Sequence, residues 1–498
     1  MLGRLLSAGG SSEVEYTLID PQPDDGDDVE QESPTPVKHS AEEERQLVRK
    51  LDLRILPIAC LLYLFAYLDR SNLGNARLQG LPEDVLGGDK TGELFDWVVS
   101  SFYFSYILFQ IPATIISKLF PPKVWMACAA VGWGTASTLM STATGFSTLV
   151  VCRLLIGVFE AGFGPSLPLY FSYFYTKEEM GLRMAYWFGF ATVAGSIGGF
   201  IAYGIQHIQT TIPHWKLLFI VEGIPPILLG ILTLFILPNR PESTSFFNDR
   251  ERKIALARMN RATRGDVGAT VNKAHILLAF QDWRVYTGGV IYFGLNCALA
   301  SISAFLPTII TTFGYTNALA QLLTVPPYIT ASFVLISFSW ASDKLQSRGI
   351  FMSIACCISG IGYLILLAAT NVHVRYFATF CITSGTYTTI GITIAWFAHN
   401  LGSETKKATG MPMFMAIGQC GSILGSHIFP KAEGPSYTRG FAISCSLAFL
   451  AAICSGLLSL SYRRENALRD KVYGKVDPDA PVDTRELADE APGFRYVP

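Results

Sequence analysis

About twelve runs of roughly 17 to 25 predominantly apolar residues follow one another along this chain, each long enough for a helix to cross the ~30 Å hydrocarbon layer of a bilayer. They lie at residues 53–70, 94–120, 124–142, 148–174, 184–205, 217–237, 285–313, 321–341, 350–369, 376–397, 411–429 and 441–460. Such a pattern leaves few options, because inside lipid every backbone N–H and C=O must be satisfied within its own segment, which a helix does. The sequence therefore predicts an all-α membrane protein with twelve transmembrane helices. Composition agrees: 50% of the residues are hydrophobic and 15% charged, more apolar than a water-soluble domain. The net charge of −1, with no basic stripe interleaved with aromatics, gives no argument for nucleic-acid binding.

The polar segments organise these runs. Residues 1–40 are rich in Asp, Glu, Ser, Pro and Gly and are expected to form a disordered cytoplasmic tail. No signal peptide is expected ahead of the first run. Residues 41–52 (AEEERQLVRKLD) form helix and are expected to lie along the inner membrane surface. Residues 238–283 hold NDRERKIALARMNRATR, too basic to enter lipid, and are read as a cytoplasmic linker. It separates an N-terminal six-helix bundle, 41–237, from a C-terminal one, 284–462; residues 463–498 are expected to form a second cytoplasmic tail.

Cations fall on alternate sides. Lys118 and Lys123, Lys177 and Arg183, Lys344 and Arg348, Lys406 and Lys407, and Arg463 and Arg464 share the linker's side, whereas the opposite loops carry chiefly Arg77, Lys90, Lys216, Arg375, Lys431 and Arg439. The positive-inside rule then puts both termini in the cytoplasm. The junctions KLFPPK and SDKLQSR occupy equivalent places in the two halves, as a parallel repeat requires, and such repeats set a substrate site between the halves near mid-bilayer.

Charges inside spans cost about 2.5 to 3.5 kcal/mol each on insertion scales and need partners or a water-filled cavity. Asp69 and Arg70 are adjacent at the expected outer end of the first span; Arg153 and Glu160 stand two helical turns apart in the fourth. At about 10 Å along the axis, Arg153 and Glu160 are expected to meet the first helix before each other. One reading is a pair of anion-binding arginines beside two proton-accepting carboxylates; the other is a structural ion network locking two helices. Tyr67 and the run Phe102, Tyr103, Phe104, Tyr106 offer flat walls and hydroxyl donors to a small organic ligand, although aromatics in membrane helices also simply pack. Glu222 is expected to be structural, paired with a basic residue of a neighbouring segment. His207, His214, His373, His399 and His427 lie at loops or span ends, and the cysteines fall in apolar runs without CxxC or Cys/His spacing, so no metal and no cofactor are expected. GSIGG at 195–199 and GxxxG at 421–425 permit close helix approach, and Pro57, Pro112, Pro165, Pro168, Pro225 and Pro226 can bend spans. No GxxxxGK[ST], HExxH or GxSxG appears, so neither ATP-driven transport nor hydrolysis has sequence support and no enzyme is expected.

The segments RKLDLRILPIACLLYLFAYLDRSNLGNA, FQIPATIISKLFPPKVWMA, CRLLIGVFEAGFGPSLPLYFSYFY, WKLLFIVEGIPP and ILPNRPE, in this order, resemble the major facilitator superfamily, and within it the anion:cation symporters of the fungal allantoate, nicotinate and pantothenate permease group. The resemblance covers residues 41–465. It implies the major facilitator fold, two pseudo-symmetric six-helix bundles, with alternating access driven by a proton gradient. By position, Arg70 and Arg153 match substrate-anion residues, Asp69 and Glu160 match coupling carboxylates, and Tyr67 and Tyr106 match tyrosines lining the pocket of bacterial sugar-acid relatives. Two departures leave the substrate open: Gly421, Ser422, Ile423 where many members have Gly-Asn-Ile, and LFDWVVSSFYFSY at the second span. In the second half the candidates are uncharged: Asn296, Tyr387, Gln419 and Ser422. The resulting expectation is a monomeric plasma-membrane symporter of protons and a small organic anion, a carboxylate such as a vitamin or nitrogenous acid. An exporter of an acidic metabolite and a non-transporting nutrient sensor of the same fold stay open, and a seven-helix receptor fails on span count.

Overall fold

The computed structural model describes residues 40–117, 119–263, 273–476, 482, 484 and 486–498; the expected N-terminal tail up to residue 39 and the cation Lys118 lie outside the described residues, as does the side chain of Lys177. The first half holds α1 (Ala41–Leu78), α2 (Leu81–Val85), α3 (Glu93–Ser117), α4 (Pro122–Leu139), α5 (Phe146–Phe163), α6 (Ser166–Ser172), α7 (Lys177–Gln206) and α8 (His214–Ile236). Two linker helices follow, α9 (Asp249–Thr263) and α10 (Lys273–Gln281). The second half holds α11 (Trp283–Thr311), α12 (Asn317–Leu322), α13 (Val325–Lys344), α14 (Arg348–Ala368), α15 (Val372–Asn400), α16 (Glu404–His427) and α17 (Thr438–Tyr473). Every expected span falls on helix, though 148–174 is divided between α5 and α6 and 321–341 begins in α12 and continues in α13. Nine helical stretches are long and apolar enough by themselves to cross a membrane among the described residues; α4, α15 and α16, diluted by Gly, Ser and Thr, complete the set through packing.

The two halves repeat one packing scheme. In the first, α1 packs on α7 and α8, α3 on α5, and α4 on α5 and α8; in the second, α11 packs on α16 and α17, α13 on α15, and α14 on α15 and α17. These are equivalent pairings, so the chain is two pseudo-symmetric six-helix bundles. They meet through α1 with α11, α3 with α16, and α7 with α13. Small residues allow the approach. A side chain at Gly421 or Gly425 of α16 would run into the carbonyls of Phe293 and Cys297 on α11, and Gly195 and Gly199 of α7 face Tyr328 and Thr324 of the other half.

Three expectations are corrected. The surface helix and the first span are one continuous helix, α1, started by a capping box at Ser40 and Glu43. Its first turns pack on the linker through Lys50–Glu251 (2.8 Å) and Arg250–Glu43 (2.7 Å). Because α1 runs on to Leu78, Asp69 and Arg70 sit about 12 Å inside its outer end, not at it. The third correction concerns residues 463–498, expected as a tail. Here α17 continues to Tyr473, and the described residues beyond it fold back onto the C-terminal half. The Val497 carbonyl accepts from Trp396 Nε1 (2.8 Å) and Asn400 Nδ2 (3.0 Å), Val497 N–H donates to Asn400 Oδ1 (2.8 Å), and Arg469 donates to the carbonyls of Asp489 (2.8 Å) and Phe494 (3.0 Å). The buried Asp489 carboxylate pairs with Lys406 (2.6 Å), which also holds Asp282 (2.7 Å).

The side chains of Arg183, Lys406 and Arg463 bond near the linker end of the bundle, on Asp52, Asp282 and Ser347, and the backbone N–H of Lys123 donates there to Asn239. At the opposite end the halves are joined. Asn317 donates to the Leu78 carbonyl (3.0 Å), Gln321 to that of Asn75 (3.1 Å) and Lys431 to that of Asp89 (3.4 Å), while His427 reaches Ser100 (3.1 Å).

Candidate functional site

A cavity of about 1570 Å³ lies between the halves and opens at the linker end, where Met180, Arg348 and Arg495 stand at its mouth. Its floor lies against Arg70. One turn of helix separates Tyr63 from Tyr67, and three residues more bring Arg70 onto the same side of α1, so all three line the cavity. Tyr103, Tyr106 and Gln110 do so from α3, Tyr292, Asn296 and Ser303 from α11, and Gln419 and Ser422 from α16.

Arg70 is the cation of the floor. Its Nε donates to Glu160 Oε2 (2.6 Å), and its guanidinium carbon lies 5.0 Å from the Phe102 ring centre and 4.9 Å from that of Tyr106. Among the described residues Glu160 is the one carboxylate paired with it, and the Tyr106 hydroxyl is the polar group beside the rest of the guanidinium. The site forms because α5 comes very close to α3: a side chain at Gly157 would strike Ser105 and the Phe102 carbonyl, and one at Gly164 would sit 3.0 Å from the Tyr106 hydroxyl. Helix α5 then breaks at Gly164–Pro165 before α6.

Arg153 and Glu160 meet α1 and not each other, as their spacing predicts. Arg153 is buried behind the floor, donating from Nη1 to the Asp69 carbonyl (2.9 Å) with its guanidinium 5.2 Å from the Phe102 ring centre. It does not line the cavity, nor do Asp69 and Glu160, both 1% exposed. Phe102 thus has a guanidinium near it from both arginines, one facing the cavity and one behind. Asp69 Oδ1 accepts a hydrogen bond from Ser137 of α4, while Asp69 Oδ2, Glu160 Oε1 and Arg153 Nε have no protein partner.

Of the residues singled out from the sequence, Arg70, Tyr67, Tyr106, Asn296, Gln419 and Ser422 line the cavity. Tyr387 does not; it is buried one layer back, its hydroxyl bonded to that of Tyr67, which also lies 2.9 Å from Ser303 Oγ. Phe104 turns outward and stacks on Trp97. Among the described residues Glu222 has no basic partner: it is fully buried, and the polar group turned toward it is the Asn72 amide. The sequence reading passed over Tyr63, Gln110, Tyr292 and Ser303. The first three sit one helical turn from the named Tyr67, Tyr106 and Asn296, a signal that was available; nothing singles out Ser303. Among the described residues no His, Cys, Asp and Glu gather in a group able to hold a metal ion.

Comparison with known proteins agrees with this architecture. The sequence pattern of the Major Facilitator Superfamily matches residues 59–426. The chain is 31% identical to the major facilitator-type transporter hxnP of Emericella nidulans, over 93% of this chain and 95% of that one. It is 30% identical to the high-affinity nicotinic acid transporter of Saccharomyces cerevisiae, over 91% of this chain and 85% of that one. Among solved structures, a D-xylose–proton symporter superposes with a TM-score of 0.64 at 14% identity, covering 81% of this chain and 97% of its own, a likeness of fold. With the twelve-helix repeat and the central cavity, these matches place the chain in the major facilitator superfamily, as a multi-pass membrane transporter and not an enzyme.

Proposed function

We propose that the protein is a proton-coupled symporter that takes a small organic anion, a carboxylate such as a vitamin or nitrogenous acid, across the membrane by alternating access. The observation that carries this reading is Arg70: a guanidinium on the cavity floor, engaged by Glu160 through Nε, with no second carboxylate on its Nη pair among the described residues. A forked pair of N–H groups matches a carboxylate, and the ring walls of Tyr106 and Tyr103 suit a flat ligand. Arg153 acts from behind, setting the Asp69 backbone and the Phe102 ring.

Coupling follows from one guanidinium serving two carboxylates. In the empty site Arg70 pairs with Glu160; an arriving anion competes for it, which makes proton uptake by Glu160 more favourable. Linkage requires the converse, that a protonated Glu160 releases Arg70 to the anion. Asp69 is assigned the same coupling role from the layer beneath. With the linker in the cytoplasm, the cavity belongs to an inward-open state, and the joined opposite end is the closed external gate. Both termini are assigned to the cytoplasm, the molecule to the plasma membrane as a monomer.

Nicotinate is the first probe, because a relative at 30% identity is named for it. Labelled nicotinate and a panel of carboxylates are offered to cells lacking their own uptake, with and without a protonophore. Accumulation that collapses with the protonophore is expected. Accumulation unaffected by it contradicts proton coupling, and preference for neutral analogues contradicts the role of Arg70.

A further inference from the structure

Level with Arg70 but outward of Glu160, away from the cavity, lies a second buried acidic place. Glu222, two helical turns into α8 from Trp215, is 0% exposed, and neither of its oxygens makes a hydrogen bond of ordinary length and angle, the Asn72 amide being the polar group turned toward it. It faces the carboxylate of Asp69 and the side-chain amide of Asn72, one turn along α1. Asn72 is 1% exposed and neither its amide nitrogen nor its oxygen is bonded; Asp69 Oδ2 is likewise unpartnered. Among the described residues no cation faces Glu222. From α1 it meets Asp69 and Asn72, while Arg70 is turned to Glu160 and Arg153 holds the Asp69 carbonyl on the other side. In α4 the sole cation, Lys123, is at the linker end and Cys128 is exposed; the Glu179 and Arg183 side chains of α7 are engaged there too.

Two carboxylates next to each other in an apolar bundle, with unused hydrogen-bonding atoms and only Arg153 near the pair, on the far side of Asp69, cannot both stay ionised without several kcal/mol of uncompensated desolvation. A proton removes the charge and needs no coordination shell; a metal cation would need more oxygens than these side chains supply. We propose that Glu222 is a second proton-binding carboxyl of the transporter, which exchanges its proton with Asp69 beside the Asn72 amide. The step is balanced: the Glu222 carboxylic acid gives H⁺ to the Asp69 carboxylate, leaving a Glu222 carboxylate and an Asp69 carboxylic acid. The site lies between the joined end of the bundle and Glu160, so it would load the coupling layer from the side opposite the open cavity. It deepens the proposed symport, and in that sense rests on that reading.

The test uses the full chain in lipid vesicles and reads infrared absorption of protonated carboxyl groups against pH, without substrate. Wild type is expected to show a buried protonated carboxyl band of which Glu222→Gln loses one component, whereas Glu160→Gln retains that component. In Asp69→Asn the component should stay but titrate at a different pH, since the facing charge is gone; this variant decides the matter if Glu222→Gln does not fold. A Glu222→Gln spectrum identical to wild type at every pH overturns the proposal. A component that disappears at fixed pH when choline is replaced by sodium also overturns it, in favour of a metal cation. Nicotinate accumulation is measured on the same vesicles. Wild-type accumulation indifferent to a protonophore would refute symport yet leave the infrared result standing, so the two failures are separable; where symport holds, Glu222→Gln should flatten the dependence of uptake on pH.

Discussion

The two halves share one helical plan and use charge in opposite ways. The N-terminal half buries Asp69, Arg153, Glu160 and Glu222 in the middle of its helices, with Arg70 beside them at the cavity, and leaves several of their polar atoms unpartnered. The C-terminal half keeps its buried charges, Lys406, Asp489 and Arg469, at the linker end, where the folded-back C-terminal segment engages them in close pairs. At the cavity floor it offers neutral groups, Asn296, Gln419, Ser422 and tyrosines, while its charged lining residues, among them Asp343, Arg348 and Arg495, stand toward the linker-end mouth. Unpartnered charge has capacity left for a ligand or a proton; saturated charge has none and holds structure. On the proposed reading, anion binding and coupling belong to the first half and shape and rigidity to the second.

The comparison breaks most visibly at Lys406. Lys406→Met leaves Asp282 and Asp489 facing each other without their cation, a loss of about 3–5 kcal/mol when a buried pair is broken. The melting temperature of the purified protein should drop sharply, while the ligand affinity of the molecules that remain folded should stay near wild type. A normal melting temperature would mean that the C-terminal charges are not structural. Arg70→Lys should do the reverse: a point charge cannot reproduce the fork, so affinity for a carboxylate should fall by about 1.5–3 kcal/mol, roughly ten- to a hundredfold, with little change in melting temperature. Titration calorimetry and thermal melting on the same samples sort the two cases.

Smaller effects sharpen it further. Tyr67→Phe removes the hydroxyl that joins Ser303 and Tyr387 across the halves. About 1 kcal/mol should be lost from the inward-open state, read as a several-fold shift toward labelling of cysteines engineered at the opposite end. The smallest is on the linker. Burial pushes the Glu251 carboxyl up, but its bonds to Lys50 and the Asn248 N–H outweigh this and hold it below the usual carboxylate range. A lowered folded value stabilises above the ordinary pKa and is lost as pH falls through the lowered one. Glu251→Gln should therefore cost under ~1 kcal/mol at neutral pH, Lys50 being partly exposed, and nothing in strong acid; faster amide exchange in α9 at neutral pH would show it.

Much of this was legible in the sequence because membrane physics writes in long strokes. Apolar run length located every spanning helix, and the two-turn spacing of Arg153 and Glu160 told that they meet α1. What the sequence did not convey depends on where helices end and which way they turn. Nothing in YLDRSN says that helix continues to Leu78, since Ser, Asn and Gly usually end a helix in water but are held here by packing on the other half. The polar composition of residues 463–498 resembles a free tail; it is the pairing of Asp489 with Lys406, 83 positions apart, that binds it. Glu222 was assigned a basic partner because buried acids generally have one, and only the packing of α8 on α1 reveals another acid there instead.

The central claim is that Glu160 exchanges its hold on Arg70 for a proton when the anion binds. Glu160→Gln fixes that residue in the neutral form. In vesicles containing this variant, labelled nicotinate, or whichever carboxylate the wild type accumulates, should still exchange across the membrane in counterflow but no longer build up against its gradient when a proton gradient is imposed. Normal proton-driven accumulation by Glu160→Gln would contradict the account.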